Sequence, residues 1–182
     1  MHRFTALLLA AFLCAQTGVS QSLINRRAPS FSLPDPAFKQ YDLLDYRGKW
    51  LFIEFMNTNP GTCPSCKDLS KKLDGVQTKY GARVAILAIV TSPPENQQTV
   101  AKYILDTKTT TPIVFDMSQV AISYFKATPQ NPAFDTPHIF AINPQGTIVK
   151  DWNQVQAGAA TFLAEIDQLL AAGAGKASKA AK

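Results

Sequence analysis

The sequence predicts a three-layer α/β domain in which helices cover both faces of a central mixed sheet. Short apolar runs that suit buried strands alternate with segments whose apolar residues recur every three or four positions, as on one helix face. Strands that alternate with helices pair in parallel. The last two strands are joined by the turn 143–146, so they are expected to form an antiparallel hairpin. A chain of 182 residues, 46% of them hydrophobic, can bury the core of one such domain.

Local signals predict the individual elements. Residues 21–35 contain Pro29 and Pro34 and lack a sustained period, so they are predicted to be extended, with at most a short edge strand at 31–33. Gly81 is the expected stop of the first long helix. The predicted strands are 50–55, 84–90, 113–115, 138–142 and 147–150, and the predicted helices are 66–80, 95–106, 118–125 and 158–170.

The first twenty residues have the order of a secretory signal peptide. The basic residues His2 and Arg3 precede the apolar run 6–13, and small and polar residues follow. The run is shorter than the ~20 residues of a membrane-spanning helix, so no stable membrane anchor is expected after cleavage. Cys14 lacks the small preceding residue of a bacterial lipoprotein signal and falls in the removed segment. The predicted organisation is a signal peptide over 1–20, a domain over 21–170 and a disordered Ala/Gly/Lys tail over 171–182.

The charge of the chain does not indicate a nucleic-acid-binding protein. Loss of residues 1–20 removes Arg3 from the 18 Lys and Arg residues, which leaves 17 against 13 Asp and Glu and a net charge of +4. Three of these cations lie in the segment 171–182, which has too few large apolar residues to pack. No basic stripe with interleaved aromatic residues occurs elsewhere, so no nucleic-acid partner is expected.

The motif Cys63-Pro64-Ser65-Cys66 is the main functional signal. In an exported chain, one close cysteine pair indicates thiol–disulfide exchange rather than a disulfide-stapled scaffold. At the start of a helix, unpaired N–H groups and the helix dipole stabilise a thiolate on Cys63, which is expected to face solvent and react first. Cys66 lies one turn along, begins the buried face and resolves the mixed disulfide. A fixed disulfide and half of a zinc site remain alternatives, although His138 is the one imidazole after residue 20.

Segments around this motif resemble the exported thioredoxins of the TlpA/ResA type and their peroxiredoxin relatives. The resemblance rests on FSLPD at 31–35, YDLLDYRGKW at 41–50, the cysteine motif and DTPHIFAINPQG at 135–146, and it covers roughly residues 28–152. It implies a thioredoxin-like fold and thiol–disulfide oxidoreductase activity in the bacterial periplasm. It also implies disulfide-containing protein partners, an upstream thiol reductant and no cofactor or metal.

The resemblance also implies roles for three further residues. Pro137 corresponds to a cis proline that faces the cysteine helix, and the backbone of Thr136 then pairs with the substrate chain. The simpler alternative is a trans proline that ends a loop. Glu54 corresponds to a buried acid beneath the disulfide, which relays a proton to Cys66. The alternative for Glu54 is an exposed position on an edge strand.

Three departures from the family patterns limit the comparison. The segment 57–62 is longer than in thioredoxin and places Thr62 where that protein has Trp. Pro60 stands three residues before Cys63, where a peroxiredoxin has Thr or Ser, which disfavours a thiol peroxidase. Copper chaperones of this fold use Cys-x-x-x-Cys and a later His, whereas this chain has Cys-x-x-Cys and His138. A thiol peroxidase, a copper chaperone using Cys63, Cys66 and His138, and a non-enzymatic binding module are the alternative functions.

Overall fold

A five-stranded sheet forms the centre of the computed structural model, which describes residues 22–128 and 135–180. The strands are β1 (Ser32–Pro34), β2 (Gln40–Asp42), β3 (Trp50–Met56), β4 (Val84–Thr91), β5 (Ile113–Asp116), β6 (His138–Ile142) and β7 (Ile148–Trp152). The helices are α1 (Cys66–Tyr80), α2 (Gln97–Thr107), α3 (Gln119–Phe125), α4 (Gln154–Gly158) and α5 (Phe162–Ala180). Short 3-10 helices span Leu43–Tyr46 and Gly81–Arg83. The predicted signal peptide 1–20, Cys14, Pro129 and Pro132 lie outside the described residues.

The central sheet has the strand order β5-β4-β3-β6-β7. β3 pairs in parallel with β4, and β4 pairs in parallel with β5. β6 runs antiparallel to both β3 and β7. The expected mixed sheet with a terminal antiparallel hairpin is therefore confirmed. β1 and β2 form a separate two-stranded antiparallel sheet.

Alternate residues of β3 divide the core into two layers. All seven residues of β3 are buried. Phe52 packs on one face with Leu73 of α1 and Phe162 of α5. Phe55 packs on the other face with Tyr124 of α3. A strand that is covered on both faces reads as a continuous apolar run, which is why β3 was recognisable in the sequence.

The structure differs from the sequence prediction mainly near the C-terminus. β7 runs to Trp152, and a separate short helix, α4, ends at Gly158, where the predicted last helix was expected to begin. Asn153 caps α4 by accepting a hydrogen bond from the Gln156 N–H at 3.0 Å. α5 begins at Phe162 and continues through Ala180, beyond the predicted end at Leu170 and into the segment predicted to be disordered. Alanine and lysine favour helix, so an existing helix extends readily through this composition.

No helix in residues 22–128 and 135–180 combines the length and apolar character needed to cross a membrane.

The buried carboxylate of Asp116 fixes the start of α3. Asp116 ends β5 and is 1% exposed. Its Oδ1 accepts a hydrogen bond from the Val120 N–H at 3.1 Å, and its Oδ2 accepts one from the Ala121 N–H at 2.8 Å. Ser118, the residue next to the helix start, has a φ of 72° and makes no side-chain cap. Asp116 therefore supplies the acceptor that the first turn of α3 requires.

We expect Asp116→Ala to lower the free energy of unfolding by roughly 2–4 kcal/mol, because two buried N–H groups lose a charged acceptor. Asp116→Asn keeps one acceptor oxygen and should lose clearly less. Urea denaturation followed by circular dichroism measures both values. A loss for Asp116→Ala within about 0.5 kcal/mol of zero, the range of neutral surface substitutions, would contradict this assignment.

Candidate active site

A disulfide between Cys63 and Cys66 links the loop after β3 to the start of α1. The two Cα atoms are 5.4 Å apart. The Cys66 N–H donates to the Cys63 carbonyl at 3.3 Å, and the Leu69 N–H donates to the Ser65 carbonyl at 3.0 Å, so the motif forms a tight turn that leads into the helix. A disulfide at this position fits the redox motif that the sequence predicts.

Cys63 is buried in this disulfide form, so the prediction that it faces solvent is wrong. Cys63 is 2% exposed and Cys66 is 1% exposed. The helix begins at Cys66, which leaves Cys63 in the preceding turn, and both residues belong to an apolar cluster with Met56, Val90 and Val100. The disulfide form therefore presents little of Cys63 to solvent.

The loop before the motif is tied to α2 by Glu95, a residue that the sequence analysis missed. The Thr58 N–H donates to Glu95 Oε1 at 2.8 Å, and the Thr58 hydroxyl donates to Glu95 Oε2. The Thr99 hydroxyl donates to the same carboxylate at 2.6 Å. Glu95 is 4% exposed. In the sequence, a glutamate directly before the capping Asn96 looks like an ordinary exposed residue at a helix start.

Glu54 lies in the middle of the central sheet. It is 0% exposed and pairs across the sheet with Ala88 of β4 and Ile139 of β6. β3 is the third of five strands, so the edge-strand alternative is wrong. The prediction of a buried acid is confirmed.

The side chain of Glu54 points to the face of the sheet that carries α1. Successive side chains of a strand point to opposite faces, so Glu54 shares a face with Phe52 and Met56. Phe52 packs in one cluster with Leu69 of α1, and Met56 packs in another with Cys66. Glu54 therefore lies between these clusters, beneath the first turns of the helix.

Burial raises the pKa of Glu54 from 4.5 to about 8. A hydrogen bond from the Ser70 hydroxyl to Oε2, 3.2 Å long, acts in the opposite direction, and the nearby charge of Asp74 raises the pKa further. Oε1 is buried and has no hydrogen-bond partner among the described residues. At neutral pH the group is mainly a neutral acid, able to exchange a proton near the disulfide.

Ser70 and Tyr103 extend this polar site, and neither was identified from the sequence. The Ser70 hydroxyl lies 2.9 Å from the Tyr103 hydroxyl, and both residues are buried. Burial raises the pKa of Tyr103 to about 12, so its phenol is neutral. A serine on an apolar helix face, four residues after Cys66, is the signal that points to this network.

The Thr136–Pro137 peptide bond is cis, as the resemblance implied. Pro137 is buried and Thr136 is half-buried. A cavity of about 160 Å³ is lined by Pro137, by Ser65 of the cysteine motif, and by residues of α1 and α4. The structure therefore brings Pro137 and the start of the cysteine helix to one cavity.

His138 is held between two carboxylates. Its Nδ1 lies 2.9 Å from Asp135 Oδ1, and its Nε2 lies 3.2 Å from Asp151 Oδ2. Burial alone would lower the pKa of His138, but the hydrogen bonds to Asp151 and Asp135 outweigh burial and raise it. In the described part of the chain, no group of three or more His, Cys, Asp and Glu side chains is arranged to hold a metal ion. His138 is therefore not grouped with Cys63 and Cys66 as a copper site would require.

Comparison with known proteins identifies the fold and the family. The thiol-disulfide oxidoreductase ResA of Bacillus subtilis (strain 168) is 26% identical over 123 residues, which are 68% of this chain and 63% of that protein. The match thus spans less than two thirds of the relative's length.

Two solved structures share the fold. A candidate protein disulfide isomerase from Bacteroides thetaiotaomicron has a TM-score of 0.66 at 21% identity, covering 81% of this chain and 87% of that chain. The thioredoxin domain of a thiol-disulfide oxidoreductase from Bacteroides vulgatus has a TM-score of 0.64 at 18% identity, covering 80% and 96%. The fold is thioredoxin-like. Residues 24–151 match the AhpC/TSA family, and the chain belongs to that family.

Proposed function

We propose that the protein is a thiol–disulfide oxidoreductase that exchanges disulfides with protein partners through Cys63 and Cys66. The observation that carries this proposal is the Cys63–Cys66 disulfide next to a fully buried carboxyl group, Glu54, with a raised pKa. Burial of a carboxyl group costs free energy. A disulfide that only cross-linked the chain would not require a buried acid near it. The similarity to a relative named as a thiol-disulfide oxidoreductase supports the same function.

In the proposed cycle, the Cys63 thiolate attacks a partner disulfide, and one partner sulfur leaves as a thiolate. The carboxylate form of Glu54 takes the proton of Cys66, and the Cys66 sulfur attacks the Cys63 sulfur. The bond between Cys63 and the partner breaks, the Cys63–Cys66 bond forms, and the second partner sulfur leaves. Two electrons pass to the partner in total. A thiol reductant reverses these steps on the protein and restores both thiols.

The cellular setting belongs to the same proposal. The basic start and short apolar run of residues 1–20 support export and removal of this segment. Export places the protein in the bacterial periplasm, where disulfide-containing proteins are the available partners.

Thr136 and Pro137 are proposed to contact the partner chain. Pro137 lines the same cavity as Ser65, and the half-buried Thr136 precedes it. Asp135, the residue before Thr136, bonds to His138 and accepts a hydrogen bond from the Gln154 N–H at 2.9 Å. These bonds hold the segment in place beside the cysteine motif.

We expect Cys63→Ser to abolish the reduction of a disulfide protein, because it removes the attacking sulfur. We expect Cys66→Ser to trap the partner on Cys63 as a stable mixed disulfide, because the resolving sulfur is absent. Non-reducing gel electrophoresis and a turnover assay measure the two outcomes. Ser123→Ala, on α3 across the sheet, is the control and should match the unsubstituted protein. Normal turnover by Cys63→Ser would overturn the proposed function.

The raised pKa of Glu54 predicts how the free energy of unfolding depends on pH. Its pKa is about 8 in the folded protein against 4.5 as the ordinary value. Between these values the folded state binds a proton that the unfolded state has released, so the free energy of unfolding falls as pH rises, with a slope of up to about 1.4 kcal/mol per pH unit. Glu54→Gln should remove this contribution, and the smaller one from His138, whose pKa is raised above 6.5, should remain.

Urea denaturation of the disulfide form between pH 4 and 9 tests this expectation. Glu165→Gln is the matched control. Hydrogen bonds from the side chains of Lys150, Trp152 and Thr161 lower the pKa of Glu165 to about 2. Its contribution to stability is present above pH 4.5 and is lost as pH falls, so this variant should keep the decline between pH 4.5 and 8. An unchanged decline in Glu54→Gln would show that Glu54 is not the titrating group.

We expect Pro137→Ala to lower kcat/KM for a disulfide protein by up to about tenfold, the equivalent of one hydrogen bond, since Thr136 is less rigidly held without the ring. Reaction with glutathione, which needs no docked chain, should change little. Pro144→Ala, in the turn between β6 and β7, controls for the loss of a proline. Equal effects on glutathione and protein substrates would argue against a docking role.

A further inference from the structure

Three oxygen atoms from β3, α1 and α2 form a hydrogen-bonded chain on the side of the sheet that carries α1. Glu54 Oε2 of β3 lies 3.2 Å from Ser70 Oγ of α1, and Ser70 Oγ lies 2.9 Å from Tyr103 Oη of α2. The exposed fractions of the three residues are 0%, 2% and 7% in that order. This hydrogen-bonded chain therefore runs from the central sheet to the helices that cover it.

Ser70 contacts the acid and lies on the same helix as the resolving cysteine. Cys66 and Ser70 are four residues apart on α1 and both are buried, so they are neighbours on one helix face. Ser70 Oγ also lies 3.9 Å from Met56 Sδ, and Met56 shares a cluster with Cys63 and Cys66. The hydroxyl thus bonds to Glu54 and lies on the buried helix face that begins with Cys66.

Ser70 is the one side chain of the described residues that hydrogen-bonds to Glu54. The sheet neighbours Ala88 and Ile139 are apolar, and Oε1 has no partner in the described part of the chain. The charge that acts on Glu54 comes from Asp74, which opposes ionisation. Asp74 and Asp68 act in the same sense on Tyr103.

The number of hydrogens sets the direction of the bonds when Glu54 is ionised. A serine hydroxyl has one hydrogen, and the carboxylate can only accept. The Ser70 hydrogen therefore goes to Glu54, and the hydrogen between Ser70 and Tyr103 must come from the tyrosine. Each bond in such a chain polarises the next, so the Tyr103 bond strengthens the donation from Ser70 to the carboxylate.

We propose that Ser70, oriented by Tyr103, is a positioning residue that stabilises the carboxylate form of Glu54 for taking the proton of Cys66. This inference rests on the proposed function. In the step concerned, the Cys66 S–H bond breaks and the proton binds to Glu54. The Cys66–Cys63 bond then forms as the partner leaves as a thiolate. Ser70 and Tyr103 each have one hydroxyl hydrogen before and after this step. Only the direction in which the two hydroxyls donate changes.

Two measurements test this role. The first is the carboxyl infrared band of Glu54 in the disulfide form as a function of pH, identified by its loss in Glu54→Gln. The second is the reaction of the reduced protein with 5,5′-dithiobis(2-nitrobenzoate). Attack by Cys63 releases one aromatic thiolate, and resolution by Cys66 releases a second, so the second phase gives the rate of resolution at each pH.

We expect Ser70→Ala to raise two pH midpoints by about one unit, that of the Glu54 infrared titration and that of the resolution rate. The reason is that the carboxylate loses a charge-assisted hydrogen bond. Tyr103→Phe should move them in the same direction by less, since Ser70 remains but is no longer held. Ser70→Thr keeps a hydroxyl and should restore both midpoints. Thr107→Val is the matched control, because it removes a buried hydroxyl on α2 that bonds to the Tyr103 carbonyl and not to Glu54.

An infrared midpoint unchanged in Ser70→Ala would overturn the inference. An infrared shift with an unchanged resolution profile would overturn it as well, because Glu54 would then not take the proton of Cys66. A second phase that is absent from the unsubstituted protein is a different result, since it would reject the proposed exchange cycle before any variant is compared.

Discussion

The burial of the Glu54 carboxyl beneath α1 is the constraint on which the candidate site depends. A carboxyl group in the middle of a sheet loses its hydration. Here one hydrogen bond, donated by the Ser70 hydroxyl, partly compensates for this loss. This imbalance is what raises the pKa of Glu54. The polar residues of α1 and α2 that face β3 follow from it, because an apolar neighbour in place of Ser70 would leave the carboxyl with no partner among the described residues.

Glu95 shows how differently the same side chain can be used in one domain. It is also buried, yet it accepts hydrogen bonds from the Thr58 N–H and from two threonine hydroxyls. A carboxylate with this many donors is well compensated for its lost hydration and holds two segments together. Glu54 accepts one hydrogen bond, from Ser70, and its pKa is raised. The two buried carboxyl groups therefore differ in the number of hydrogen-bond donors that compensate for their lost hydration.

The sequence predicted those features that depend on neighbours along the chain. Apolar runs identified β3, β4 and β6, and the three-residue cysteine spacing identified the disulfide. The contact between Ser70 and Tyr103 joins residues 33 positions apart, and periodicity reports the face of a helix but not the partner across it. The burial of Cys63 was missed for the same reason, because its cover comes from other elements. The helix α4 was missed because its five residues carry no period.

The shielding of the disulfide also affects how rates on this protein are to be understood. Cys63 is 2% exposed, and its loop is anchored by the bonds between Thr58 and Glu95. If an attacking sulfur needs an open conformer, every observed rate constant is an intrinsic rate multiplied by the population of that conformer. Conditions that loosen the anchor then accelerate all reagents by one common factor. In that case the Thr58–Glu95 bonds would contribute one factor common to all reagents, separate from the chemistry of the thiols themselves.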